Sequence, residues 1–208
     1  MRRTQMLREA SALLANRETM GDGALLKSIA LTGSGSARVR AALAPLAGFV
    51  ADVDPAILAV MPEGIFGRAV HTFCVANRIE LLRPTMTARL RVLAEEHVLP
   101  VRYAATHDLV HVLVDEGADY AGEAAVYGFA CGQGLSATYW LALVTACLFW
   151  PLMRPLQLLA IWRGAVRGFR KGRATPLLLA VRFEERLGEP LLEVRRSLGL
   201  THPTHAAH

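Results

Sequence analysis

The sequence predicts a single all-α domain of roughly eight to ten helices. Three observations lead there. Apolar residues recur at helical spacing inside segments rich in Arg and Glu. Gly and Pro fall at intervals that cut the chain into helix-sized pieces. No segment shows strand-like alternation or a tight hairpin turn. The 208 residues suffice for one sizeable core, and 53% hydrophobic content excludes a disordered chain. Seventeen Gly and ten Pro without a period exclude a collagen-like structure.

The elements follow in chain order. Residues 2–18 form an amphipathic helix in which Met6, Leu7, Leu13 and Leu14 alternate with Arg and Glu. Gly21, Gly23, Gly33 and Gly35 make 21–36 a loose connection around a short apolar run. An N-terminal helix with a flexible connection (1–36) thus precedes a helical domain (37–200) and a tail (201–208). Asp54 caps a helix that has Pro55 at its first position. Pro62-Glu63-Gly64 breaks the chain before a helix from Phe66 to Glu80. Arg83-Pro84-Thr85 starts the next, which ends before Pro100. A helix then runs from about Val101 to Glu116 and stops at Gly117. Beyond Gly122 helices continue, punctuated by Gly132, Gly134, Pro151, Pro155, Pro176 and Pro190.

Lys and Arg total 23 against 18 Asp and Glu, a net charge of +5. Mean hydropathy is nevertheless +0.31. An apolar yet basic chain points to a membrane-surface or lipid-binding protein. Cys74, Cys131 and Cys147 form no CxxC pair, and their odd number suits a reducing compartment. Among the first 18 residues, Glu9 and Glu18 follow the arginines and no apolar run appears, which argues against a secretory signal or transit peptide. The expected location is the cytoplasmic face of a membrane, held peripherally.

The chemistry concentrates in Thr106-His107-Asp108-Leu109-Val110-His111 and in Glu123. Four residues apart on a helix, His107 and His111 project from one face. Asp108 flanks them. A reversal near Gly117 brings Glu123 level with His111, since each lies six residues from that glycine. An αα-hairpin would gather two imidazoles and two carboxylates, ordinary ligands of a divalent metal, zinc first among them. Random placement of seven His and six Asp gives HDxxH about 0.007 times per chain of this length.

Other metal and phosphate chemistries fit less well. An HD-type phosphohydrolase needs a late Asp after His71 and His107-Asp108, and no Asp follows Asp119. A zincin protease needs HExxH, whereas Asp108 holds the second position here. Gly33-Ser34-Gly35 lacks the Gly-Lys-Ser/Thr of a phosphate loop.

HDxxH followed after eleven residues by Glu123 resembles the hallmark of the coenzyme Q (ubiquinone) biosynthesis protein Coq-four family. Met61-Pro62-Glu63-Gly64-Ile65-Phe66-Gly67-Arg68, Arg102-Tyr103, Gly132-Gln133-Gly134-Leu135, Phe183-Glu184 and Val194-Arg195-Arg196-Ser197-Leu198-Gly199-Leu200 are similar to further family segments. The resemblance covers about 55–200. It implies an all-helical, membrane-associated protein with His107, Asp108, His111 and Glu123 as metal ligands, catalytic through that metal. It also implies oxidative decarboxylation of a polyprenylated hydroxybenzoate, with the carboxylate replaced by hydroxyl. Other ubiquinone-biosynthesis enzymes are implied partners, and a homodimer is expected. A non-catalytic scaffold that binds prenyl lipids for those enzymes is the alternative.

Ala124–Met153 holds thirty residues without a charge. It is long enough to span a bilayer, but its glycines and Pro151 suggest two shorter helices. A buried hairpin, a wall for a polyprenyl tail and a membrane span are all consistent with it. Arg163, Arg167, Arg170, Lys171 and Arg173 then place five cations in eleven residues, a solvated face or a contact for anionic lipid. No aromatic platform accompanies them, so nucleic acid is not expected.

Overall fold

The structure, a computed structural model, describes residues 3–200, and the expected tail over 201–208 lies outside the described residues. Among the described residues eleven α-helices form the fold: α1 (Arg3–Leu14), α2 (Met20–Leu31), α3 (Ala37–Leu43), α4 (Pro55–Ala59), α5 (Phe66–Asn77), α6 (Ala88–Glu96), α7 (Val98–Val114), α8 (Tyr120–Gly132), α9 (Ala137–Met153), α10 (Leu158–Ala174) and α11 (Leu191–Ser197). Among the described residues there is no strand, only an isolated bridge between Ile65 and Pro190. The all-α, single-domain expectation is met.

Local chemistry explains several helix starts. Asp54 accepts from the Ala56 amide at α4, Ser36 from Val39 at α3, and Asp119 from Gly122 at α8. Several boundaries differ from the sequence reading. The segment read as a loose connection contains α2. Its glycines serve close packing, because a Cβ at Gly21 would lie 2.7 Å from the Arg83 carbonyl carbon. Pro100 lies in the first turn of α7 instead of ending α6, since amides in that turn have no intrahelical partner to lose. α7 ends at Asp115 in the left-handed conformation, two residues before Gly117. α5 ends likewise at Arg78, short of Glu80.

Two apolar clusters hold the helices together. The larger joins Phe66 and Val70 of α5, Leu109 and Leu113 of α7, Phe129 of α8, Ile161 of α10 and Phe183. The smaller sets Met6, Leu25, Leu26 and Ile29 of α1 and α2 against Leu90 and Val101. The N-terminal helices are thereby packed onto α6 and α7.

α8 finds its main partner in α10 and touches α7 only sparsely. Gly164, Gly168 and Gly172 recur every fourth residue on α10, and a Cβ on each would overlap a carbonyl oxygen of Ala121, Ala125 or Phe129. Backbone rests on backbone along this crossing. The apolar excess of 124–153 is divided by the same arrangement. α8 is buried, while α9 turns Leu141, Leu148, Phe149, Leu152 and Met153 outward. This surplus lies on the surface of α9, where a wall for an internal tail channel had been one expectation. Among the described residues no helix is long and apolar enough to cross a membrane.

The five-cation cluster is also split. Arg167 grips buried Glu116 with two hydrogen bonds of 2.7 and 2.5 Å, and Lys171 donates to the Val114 carbonyl at the end of α7. These two serve the fold, because Glu116 and the last carbonyls of α7 need partners once buried. Arg163, Arg170 and Arg173 remain on the outer side.

Candidate metal centre

α7 and α8 supply the site, joined by residues 115–119. At the end of α7 the Glu116 amide donates to His111 O and the Asp115 amide to Val112 O, which closes the helix as it reverses. Gly122 then passes so close to the Gly117 backbone that no Cβ fits. Glu123 follows in the first turn of α8, where the helix dipole favours a negative charge.

Three side chains converge. His111 Nε2 lies 3.3 Å from Glu123 Oε1, and His107 Nε2 lies 3.5 Å from Glu123 Oε2. The two Nε2 atoms are 3.3 Å apart. A tetrahedron of N/O ligands about 2.0–2.1 Å from zinc has edges of about 3.3 Å. With one ligand atom taken from each residue, the three groups lie within 4.8 Å of one another, a separation that slight side-chain adjustment would bring to these edges around a divalent ion. His111 Nδ1 donates to Gly117 O at 2.9 Å, which leaves Nε2 as the ligating atom. Asp108 is outside the converging trio, yet within electrostatic reach of His107, His111 and Glu123. Its neighbouring position on the helix turns it about 100° from His107.

The electrostatics belong to a pair of imidazoles around one carboxylate. Burial opposes ionisation of Glu123, but hydrogen bonds from His107 and His111 outweigh it and bring its pKa down to about 2. Burial works against charge on His111 too, yet Glu123 and Asp108 draw its pKa above the ordinary value. Asp108 is raised, chiefly by burial. Burial, with help from Asp108, pushes the nearby Cys74 thiol up to about 12, so it is no nucleophile.

Aromatic rings enclose the group. Phe73 of α5 stacks on His111 at 5.4 Å, and Tyr103 lies 5.3 Å from His107. On α8, Tyr120 and Tyr127 flank Glu123, and both rest against Trp150 of α9. Buried without hydrogen-bond partners are Tyr103 Oη and His107 Nδ1. Sequence reasoning passed over these aromatics, although Tyr120, Glu123 and Tyr127 carry the i, i+3, i+7 spacing of one helix face.

Fold and site together define an all-helical protein in which two imidazoles and a carboxylate, ligand types of a divalent ion, converge between two helices. The family model for "Coenzyme Q (ubiquinone) biosynthesis protein Coq4" matches residues 50–204. The chain belongs to that family, as its motifs suggested. Curated relatives named "Ubiquinone biosynthesis protein COQ4 homolog, mitochondrial" are 32% identical in Bos taurus and 28% in Homo sapiens, each over 156 residues. Those alignments take in 73% of this chain and 56% of each relative, so the chain spans just over half their length. A crystal structure of a candidate ubiquinone biosynthesis protein from Nostoc punctiforme shares the fold, with a TM-score of 0.63 at 20% identity, covering 96% of this chain and 95% of that one.

Proposed function

We propose that this protein acts in ubiquinone biosynthesis by metal-dependent oxidative decarboxylation of a polyprenylated hydroxybenzoate, working peripherally at a membrane with other enzymes of the pathway. The observation that carries this reading is the convergence of His107, His111 and Glu123 within 4.8 Å of one another. Family membership supplies the pathway. The names of the relatives supply ubiquinone biosynthesis for those proteins and a mitochondrial setting for them.

His107, His111 and Glu123 would hold the ion, with Asp108 in reserve beside them. A bound divalent ion supplies Lewis-acid polarisation of the ring's carboxylate or adjacent phenolic oxygen. The Gly117 carbonyl fixes the His111 tautomer, and Phe73 and Tyr103 keep both imidazoles in place. Tyr103, with its unpartnered hydroxyl, offers a hydrogen bond to an oxygen on the ring. Exchange of carboxylate for hydroxyl releases CO2 and removes two electrons from the ring. Imidazole and carboxylate cannot accept those electrons, so dioxygen or a redox-active metal must serve as the oxidant.

Purified protein with a prenylated hydroxybenzoate labelled at its carboxyl carbon tests the proposal. Labelled CO2 should be released, and His107→Ala and Glu123→Ala should lose bound metal and turnover together. Turnover by a metal-free His107→Ala/Glu123→Ala protein would refute it. Tight binding without CO2 release would favour the scaffold instead.

A further inference from the structure

His107 and His111 belong to α7 and Glu123 to α8, yet these two helices barely touch. Their register must be set from outside. α8 rests along its length on α10, so α10 is the frame in which Glu123 is placed. The same helix reaches the end of α7 through two long side chains. Arg167 donates from Nε and Nη2 to the two carboxylate oxygens of Glu116, at 2.7 and 2.5 Å. One helical turn further, Lys171 lies 4.0 Å from Glu116 Oε1 and donates to Val114 O. These two cations run beside Gly164, Gly168 and Gly172, the residues that admit the α8 backbone. One stripe of α10 thus receives α8, and its neighbour holds the turn that leads to α8.

Glu116 is the strong point of that turn. Its side chain is only 5% exposed, so leaving the carboxylate without a partner would be costly. The turn is also tied to α11, where Arg195 Nη2 donates to Val112 O at 2.6 Å and to Asp115 Oδ1 at 2.8 Å. Asp115 is 78% exposed, however, so its ion pair is screened by water and weak. The residue after Glu116 is Gly117, whose carbonyl accepts from His111 Nδ1 at 2.9 Å. A continuous path therefore runs from Arg167 through Glu116 and Gly117 O to the His111 ring.

We propose that Glu116 and Arg167 are positioning residues of the metal centre: their pair clamps the turn to α10, aims Gly117 O at His111 and keeps His111 level with Glu123. The inference rests on the metal reading proposed above. Neither residue belongs to the motif that supplies the converging side chains, and both act through Gly117 and His111.

Zinc affinity of the metal-free full chain, measured by competition with a chromophoric chelator, reads the clamp without any turnover. Glu116→Ala and Arg167→Ala should each weaken zinc binding about tenfold. The double variant should bind no more weakly than either single one, because both break the same contact. Arg167→Lys keeps the charge and should recover part of the loss. Leu25→Ala, which opens a cavity in the smaller apolar cluster, also lowers stability but should bind zinc as the parent does. A second readout needs no metal. The His111 Nδ1–H, held by Gly117 O in a side chain 1% exposed, should exchange slowly with solvent in the parent and fast in Glu116→Ala, as followed by NMR of the imidazole proton. Zinc affinity of Glu116→Ala within about twofold of the parent would overturn the proposal, as would an equal loss in Leu25→Ala. A parent that takes up no zinc would refute the metal reading alone. The Nδ1–H exchange then decides the clamp, and equal rates in parent and Glu116→Ala would overturn it.

Discussion

Replacing Glu184 by Gln should destabilise this protein severely, because Glu184 is the counter-charge of a buried arginine. The Arg102 and Glu184 side chains are 1% and 2% exposed. Arg102 Nη1 and Nη2 both meet the carboxylate, the second at 3.2 Å, while Nε reaches Leu179 O at 3.3 Å and Nη2 reaches Val181 O at 2.8 Å. The Phe49 and Phe183 rings lie 5.7 and 5.8 Å from the guanidinium carbon. Gln keeps the shape and removes the charge, so the cation stays buried against neutral dipoles. Removing one partner of such a pair costs about 3–5 kcal/mol. For a chain of this size each kcal/mol lowers Tm by about 2–4 °C, so a fall of about 6–20 °C is expected. Urea unfolding of the variant measures the loss, and Arg102→Met/Glu184→Leu should lose less than Glu184→Gln because no charge is then buried. A Glu184→Gln variant within about 1 kcal/mol of the parent, with an unchanged m value, would refute the reasoning.

Two further outcomes follow from the same structure. Gly168→Ala should destabilise by about 1–3 kcal/mol in thermal unfolding, since its methyl group falls on the Ala125 carbonyl oxygen; helix propensity alone predicts about 1 kcal/mol of gain, so a stabilised variant would show that α8 and α10 do not pack this way. Zinc uptake should strengthen as pH rises and level off above the His111 pKa. That pKa is raised in the metal-free protein, so the proton on Nε2 competes with the ion at low pH and is released on binding, and calorimetry in buffers of different ionisation enthalpy should detect it.

The convergence of His107, His111 and Glu123 was legible because its signal is local. The four-residue spacing of His107 and His111 places both on one face of any helix, and equal distance from Gly117 sets Glu123 near His111. Asp108 was grouped with them on adjacency and on the family motif, and the converging trio does not include it. The N-terminal glycines were read as flexible because a glycine that loosens a chain and a glycine that admits a neighbouring backbone are the same letter. Only the presence of Arg83 beside Gly21 distinguishes them. The basic run on α10 misled in the same way, since Glu116 lies 51 residues from Arg167.

By itself the sequence determined the all-α class, the family and the three side chains that converge, His107, His111 and Glu123. Each is written in short-range periodicity or in motifs whose members lie within one helix or across one turn. The tertiary structure alone decided which cations are paired, which glycines carry the α8–α10 crossing, and that the apolar surplus of α9 faces outward. It also joined Arg102 to Glu184, two motif residues 82 positions apart. Those outcomes depend on which surfaces are brought together by burial of the core, and residues distant in sequence carry no local mark of the partner they will meet.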